Sequence, residues 1–556
     1  MFNKKLFNYI VYNQFGGKDG ETPKWKTFKH NGVLFPEPYK PHKIPIIYNG
    51  EKIVLDQISE EYASIYAKFS GTEYIKNKSF NKNFFNDWKI YLKKGGFSKI
   101  TDLEKCNFNL IYNHLTKLKE QRLNISKEEK QKIKKQKDEA EKKYKLAIVD
   151  GKEQMVGNFR MEPPGIFMGR GCHPLAGKIK TRILPEDITL NIDSQAKIPE
   201  LPSFYKDKKW GKIIHDNTLE WLASWKDTIT NKVKYVWLGN KSDFKAKSDL
   251  AKFETARKLG TKINAIRKLN MNNLIDQKSN IKTKQLACAL YLIDNLALRV
   301  GNEKGEDEAD TVGVCSLRVE HVELLDDNFI GLDFLGKDSI RYQNKVKVHE
   351  YVYKALSNFI KGKKKNEDIF DEINTNLLNK YLKDMMKNLT AKVFRTYNAS
   401  NVFQNEINII NDKFDNIKDK ENQLNTLLDL YNRANLKVAT LCNHQKNVSK
   451  SFNESIENFN SKIKELNEQK KELSKKKSSK EKIAKLDSKI KEIKGKKDLK
   501  IELKNVSLTT SKTNYIDPRI TIAFLKRHNI PMEKIFSQTL IDKFFWAVDV
   551  DKNWKF

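Results

Sequence analysis

Residues 450–500 constrain the architecture of this chain most. Phe452, Ile456, Phe459, Ile463 and Leu466 recur at intervals of 4-3-4-3; after a break over KKKSSK (475–480), Ile483, Leu486, Ile490 and Ile493 recur at 3-4-3. Such spacing puts one narrow apolar stripe on each of two helices, and the break between them predicts an antiparallel pair whose stripes cover each other. Two singly striped helices cannot build a large core. The segment therefore reads as an arm or linker, and the cores must come from the chain on either side.

The 556 residues are enough for about two to four domains. The net charge is +34. A surplus of that size calls for a polyanionic partner, nucleic acid first, although lysines spread along the whole chain also suit a solvated surface. Cys106, Cys172, Cys288, Cys315 and Cys442 are scattered and form no C-x-x-C pair, which argues against a disulfide framework or structural zinc and fits a reducing compartment. No apolar run approaches the ~18 residues that a membrane span needs, and the first residues lack a secretory pattern. The expectation is a soluble, intracellular protein without a membrane partner.

Residues 1–24 read as a weakly ordered lead. Prolines at 36, 38, 41 and 45 between short apolar runs predict strands and turns up to Tyr48, and 51–126 reads as helical with loops. Ser126 followed by Glu129 opens a Lys/Glu-rich stretch to 145, which predicts a capped, exposed, projecting helix. Residues 150–240 are strand and loop. Helix returns over 246–300, with Leu286, Leu290, Ile293 and Ala297 as its stripe and Gly301 at the place of a C-terminal cap. Residues 328–349 predict a β-hairpin turning at Gly336-Lys337-Asp338, 350–445 is mostly helical, and 505–556 is a small apolar unit.

Nucleotide binding is not expected. GCHPLAGK (171–178) has five residues between its glycines where a phosphate loop has four, and Ile179 follows the lysine where a hydroxyl should stand. There is also no H-E-x-x-H, no calcium loop and no carboxylate cluster for magnesium, so neither metal nor cofactor is expected.

Five other local sequences are more informative. LALRVGNEK (296–304), FLGKDSIRYQNKV (334–346), LTAKVFRTYNAS (389–400), YNRANLKVATLCNHQ (431–445) and SKTNYIDPRITIAFLKRHNIP (511–531) occur in this order, with EPPGIFMGRGCHP (162–174) upstream. Together they resemble the eukaryotic type IB DNA topoisomerases. The resemblance runs from about Trp25 to the end and lacks the long charged N-terminal extension of the cellular enzymes.

Matched motif by motif, the resemblance implies that Tyr515 is the nucleophile, Arg299 and Arg395 bind the phosphate, Lys337 is the general acid and His444 donates a hydrogen bond in the transition state. It places Arg170, Asp338 and Asn514 beside the cleaved base step, while Lys512 is a candidate phosphate contact. Met168 stands where the family often has arginine.

These residue types suit the chemistry. Displacement at a phosphodiester builds charge on the nonbridging oxygens, which two guanidiniums and an imidazole N–H can meet. Cations favour the phenolate of a tyrosine nucleophile, and an aryl phosphodiester keeps the bond energy for resealing. The leaving 5′ oxygen needs a proton, which a lysine can supply.

Taken singly, the same residues have plainer readings. Arg299 would be a cation at a helix C-terminus, Lys337 a turn lysine, His444 a packing histidine, Arg395 an ion-pair partner and Tyr515 a core tyrosine.

The expected fold class is therefore α+β and multidomain, a bilobed clamp on double-stranded DNA. Residues 25–240 would form a mixed α/β cap lobe, 241–447 a mostly helical catalytic lobe with the β-hairpin, 448–504 an antiparallel coiled-coil linker, and 505–556 a small helical C-terminal domain with Tyr515. The resemblance implies a monomer acting in the nucleus, or where a virus replicates, that relaxes supercoils of both signs without ATP or metal. The alternatives are a tyrosine site-specific recombinase, whose residue set is similar, and a noncatalytic DNA-binding protein.

Overall fold

The computed structural model describes residues 23–302, 308–414, 424–446, 448–449, 451–475 and 480–556. Most of the expected N-terminal lead, and residues 476–479 of the break between the two apolar stripes, lie outside them. Helices and several small sheets are mixed, as an α+β multidomain chain requires. Contacts divide the chain into two units: one runs to Lys247 and takes in residues 308–310, the other comprises Ser248–302 and Thr311–Phe556.

The first unit has two cores. In one, helices Gln57–Ala67, Lys78–Lys94 and Asn109–Asn124 pack with a three-stranded sheet centred on Ile46–Tyr48. Phe80, Phe84, Trp88 and Leu92 line the buried face of the second helix at spacings of four, and Trp88 Nε1 donates to Ser59 O at 3.1 Å.

The other core lies under two sheets. One orders Phe28–His30, Leu146–Val149 and Lys152–Met155. The second orders Lys212–Ile214, Thr189–Asn191, Trp221–Lys226 and Val233–Trp237, and its first pair is parallel. Trp221–Lys226 is a strand that the sequence reading did not single out, because Leu222, Ala223 and Ser224 are all buried and show no alternation. The helix opened by Ser126 spans Lys127–Glu141, with Ser126 Oγ accepting from Glu129 N at 3.1 Å. Lys24, assigned to the lead, is held in the fold by its N–H to Asn217 O at 2.8 Å.

In the second unit the hairpin pairs Phe329–Gly336 with Ile340–Lys347 and turns over Lys337–Ser339. Ile330, Leu332 and Phe334 alternate inward, and Val322–Leu324 adds a third, short strand that the sequence reading missed. Asp338 (φ 68°) and Ser339 (φ 57°) take left-handed backbone, which closes the turn and presents Lys337 at its tip.

The long helix Asp243–Ile275 leads to helix Ile281–Leu296, whose stripe residues are buried as expected. Its end corrects the sequence reading. The helix stops at Leu296, and the left-handed cap is Ala297 (φ 49°), not Gly301. Gly301 serves a close backbone approach instead: a Cβ there would stand 2.6 Å from Gly313 Cα. Arg299 consequently lies beyond the helix and is no helix-end cation.

Helices Ala391–Phe414 and Leu424–Leu441 join the C-terminal residues in a further core around Phe403, Tyr431, Phe524 and Phe544. Helices Phe452–Lys475 and Lys480–Glu502 pack through Leu466, Ile490 and Ile493, with Lys470 Nζ 2.5 Å from Asp487. Among the described residues no helix is long and apolar enough to cross a membrane.

Candidate active site

Four separated stretches of the second unit supply one site. The first is the extended run after Ala297. Val314 N donates to Arg299 O at 2.9 Å and Cys315 N to Val300 O at 2.7 Å, so two backbone bonds fix the segment that carries Arg299. The second is helix Ala391–Phe414, which holds Arg395. The third is the chain leaving helix Leu424–Leu441, where His444 stands. The fourth is the short helix Leu508–Asn514, with Tyr515 as its C-terminal cap.

Backbone pairing joins the last two. Lys446 N donates to Asn505 O at 2.9 Å and Ser507 N to His444 O at 2.7 Å, bringing the start of the short helix alongside the histidine. Ser400, on the Arg395 helix, donates from Oγ to Tyr515 O at 3.0 Å and accepts from Asp517 N at 3.0 Å. The backbone on both sides of Ile516 is thus pinned to the helix that carries Arg395.

Arg299 Nη1 donates to the Tyr515 hydroxyl at 3.2 Å. The Arg395 guanidinium lies 5.1 Å from the Tyr515 ring centre, and the His444 ring stacks on it at 5.2 Å with 24° between planes. Arg395 donates from Nη1 to Ala297 O and from Nη2 to Cys442 O at 3.1 Å. The first of these bonds accounts for the left-handed Ala297, since the cap turns its carbonyl to the guanidinium. Tyr515, Arg395 and His444 are each only 5% exposed.

A cavity of about 130 Å³ opens here, lined by Arg299, Arg395, His444, Lys337 and Asp338 among others. His444 Nε2 and Arg395 Nε are buried without a hydrogen-bond partner in the protein. An unpartnered guanidinium N–H and an unpartnered imidazole nitrogen, with Arg299 on the same cavity, make a site that favours an oxyanion.

The electrostatics follow. Burial raises the Tyr515 phenol, but Arg395, Arg299 and the Arg299 hydrogen bond outweigh it and hold the group below its ordinary range. Burial, with Arg395 and Arg299 adding to it, pushes the His444 imidazole down to about 3, so the ring is neutral at physiological pH. The Tyr515 hydroxyl thus lies beside cationic groups that favour its phenolate over the neutral phenol.

The remaining predicted residues are placed differently. Asn514 is exposed, with Nδ2 donating to Thr510 O at 3.2 Å. Lys512 turns inward, its ammonium 3.3 Å from Ile535 O, and burial lowers its pKa. Lys337 is exposed at the hairpin tip, and Asp338 follows it on the same cavity wall. Arg170 belongs to the first unit, where it is exposed on a bend between Gly169 (φ 65°) and Gly171 (φ 57°). Ser400 and Ser511, which contact Tyr515 and His444, fall inside the motifs already quoted, yet nothing in their spacing singles them out.

Comparison with known proteins gives the family. The family model for the catalytic core of eukaryotic DNA topoisomerase I matches residues 241–479, that for its DNA binding fragment matches 23–238, and the C-terminal topoisomerase domain matches 487–556. DNA topoisomerase 1 alpha of Arabidopsis thaliana is 45% identical over 97% of this chain and 60% of its own length. DNA topoisomerase 1 of Homo sapiens is 41% identical, covering 96% of this chain and 72% of its own length; that of Candida albicans is 40% identical, covering 96% and 80%. The chain thus spans about 60% of the length of the Arabidopsis relatives it matches. Three models follow one another in order along the sequence, and relatives matched over most of their own length share two residues in five, so the chain belongs to the eukaryotic DNA topoisomerase I family.

Proposed function

We propose that this chain is a type IB DNA topoisomerase that relaxes positive and negative supercoils by transient cleavage of one strand. The observation that carries the reading is the contact of Arg299 with the Tyr515 hydroxyl, with Arg395 and His444 against the Tyr515 ring and the two arginines and the histidine lining one cavity. The Tyr515 oxygen, once deprotonated, attacks phosphorus and the bond to the 5′ oxygen breaks. Lys337 gives that oxygen a proton. Arg299, Arg395 and His444 hold the nonbridging oxygens through the trigonal-bipyramidal state. The products are a 3′-phosphotyrosyl link and a free 5′-hydroxyl; the nicked strand rotates, and the reverse displacement reseals it. The cationic set neutralises the developing charge, so neither ATP nor a metal ion enters the cycle.

Double-stranded DNA is the proposed partner of a monomeric clamp. Residues 25–240 act as its cap lobe, 241–447 as the catalytic lobe, 448–504 as a coiled-coil linker and 505–556 as the C-terminal domain. Arg170, Asp338 and Asn514 flank the cleaved step, and Lys512 turns to phosphate when DNA is bound. The working site is the nucleus or a viral replication site.

The test is relaxation of supercoiled plasmid in EDTA without ATP, wild type against Tyr515→Phe. Relaxation of both supercoil signs by the wild type alone supports the reading. A folded, DNA-binding wild type that leaves the plasmid supercoiled overturns it, and activity confined to a defined target site would favour a recombinase.

A further inference from the structure

We propose that Ser511 is a positioning residue whose hydroxyl donates to His444 Nδ1, fixing the imidazole as the tautomer that carries its proton on Nε2 and aims it into the cavity. The inference rests on the reading of His444 as a phosphate donor and adds how that donor is armed.

Ser511 Oγ lies 2.8 Å from His444 Nδ1, and the serine is fully buried. On the far side of the ring, Nε2 is buried and has no partner in the protein. A neutral imidazole has one donor and one acceptor nitrogen, and the bond at one nitrogen decides the other. At about 3, the pKa of His444 keeps the ring neutral at working pH, so only one nitrogen can donate. Were Nδ1 the donor, Nε2 would turn a lone pair toward a nonbridging oxyanion and repel it. With the serine donating, Nε2–H meets the oxyanion.

Ser511 also stands four residues before Tyr515 on the same short helix, and Tyr515 N and Ile516 N both donate to Ser511 O at 3.0 Å. One helix therefore brings the nucleophile and the tautomer lock together. A chain whose Tyr515 segment is undocked lacks both, which restrains His444 from acting before the tyrosine is in place.

Four measurements on the full chain test this. Ser511→Ala should lower the single-turnover cleavage rate by about tenfold or more while leaving noncovalent DNA affinity unchanged, because a mis-set tautomer costs the chemical step. Ser511→Thr, which keeps the hydroxyl, should recover most of the rate. In a His444→Ala background, Ser511→Ala should cost nothing further, since both changes remove one interaction. Nitrogen-15 spectra of histidine-labelled wild type should show a pyrrole-type Nε2 and a pyridine-type Nδ1 for His444. A protonated Nδ1, an unchanged Ser511→Ala rate, or losses that multiply in the double variant would each overturn the proposal. The nitrogen spectrum reads the tautomer even if the wild type cleaves no DNA, so a failure of the functional reading is told apart from a failure of this one.

Discussion

Arg299 Nη1 reaches the Tyr515 hydroxyl at 3.2 Å across 216 positions of sequence. The bond has a consequence for pH. Together with Arg395, Arg299 offsets the burial that would otherwise raise the phenol. Cleavage should therefore quicken with pH and level off at a pH below the phenol's ordinary 10. Arg299→Ala removes both the charge and the donor, so the levelling-off should move to higher pH and the rate below it should fall about tenfold or more. Single-turnover cleavage profiles of the two proteins measure this, and coincident inflections would refute the assignment.

The depressed His444 pKa bears on stability. The folded ring resists the proton that the unfolded chain accepts near 6.5. The folded state therefore binds fewer protons below that value, and stability falls as pH drops from 6.5 toward about 3. His444 contributes at most about 1.4 kcal/mol of that fall per pH unit. His444→Gln should flatten this acid limb between pH 6 and 4 by roughly that amount, as read from denaturant midpoints. An identical pH dependence in the variant would refute it.

His444→Ala should slow cleavage at neutral pH by about a hundredfold or more, the effect of losing one oriented donor to a developing oxyanion. Noncovalent DNA binding in a filter or anisotropy assay should change little. A parallel loss of affinity would point to ground-state binding instead.

Lys337 stands at a hairpin tip, and no carboxylate among the described residues is paired to it. If it protonates the leaving oxygen, Lys337→Ala should be severely slow on an ordinary phosphodiester. It should be close to wild type on a substrate whose 5′ bridging atom is sulfur, because a thiolate leaves without a proton. Equal slowing on both substrates would remove Lys337 from the acid role.

Asp517 fixes the chain just past the tyrosine. It caps helix Pro518–Arg527 through Arg519 N at 3.0 Å and pairs with the Arg519 guanidinium at 2.8 Å, and it is fully buried. Asp517→Ala would strand much of a buried charge, though Glu254 still holds Arg519 Nη1 at 2.6 Å. A loss of about 3 kcal/mol is expected, with cleavage falling because Tyr515 loses its register. Thermal unfolding and cleavage measured together check it; full activity at lowered stability would confine Asp517 to the fold.

What the sequence determined by itself was whatever local pattern can encode. The hairpin followed from alternation around Gly336–Asp338, the capped helix from Ser126 and Glu129, and the paired arm helices from their two seams, because each is a matter of period and turn chemistry within some fifty residues. Ordered motifs named the family and nominated Tyr515 and four residues to act with it. The tertiary structure decided the rest. Ala297 rather than Gly301 ends its helix because its carbonyl must meet Arg395, almost a hundred residues away. Leu222–Ser224 form a strand without alternation because the sheet buries all three. Neither the neutrality of His444 nor the bonds of Ser400 and Ser511 could be read from spacing. They exist only where four distant stretches converge, and there burial and neighbouring charge set the chemistry of each group.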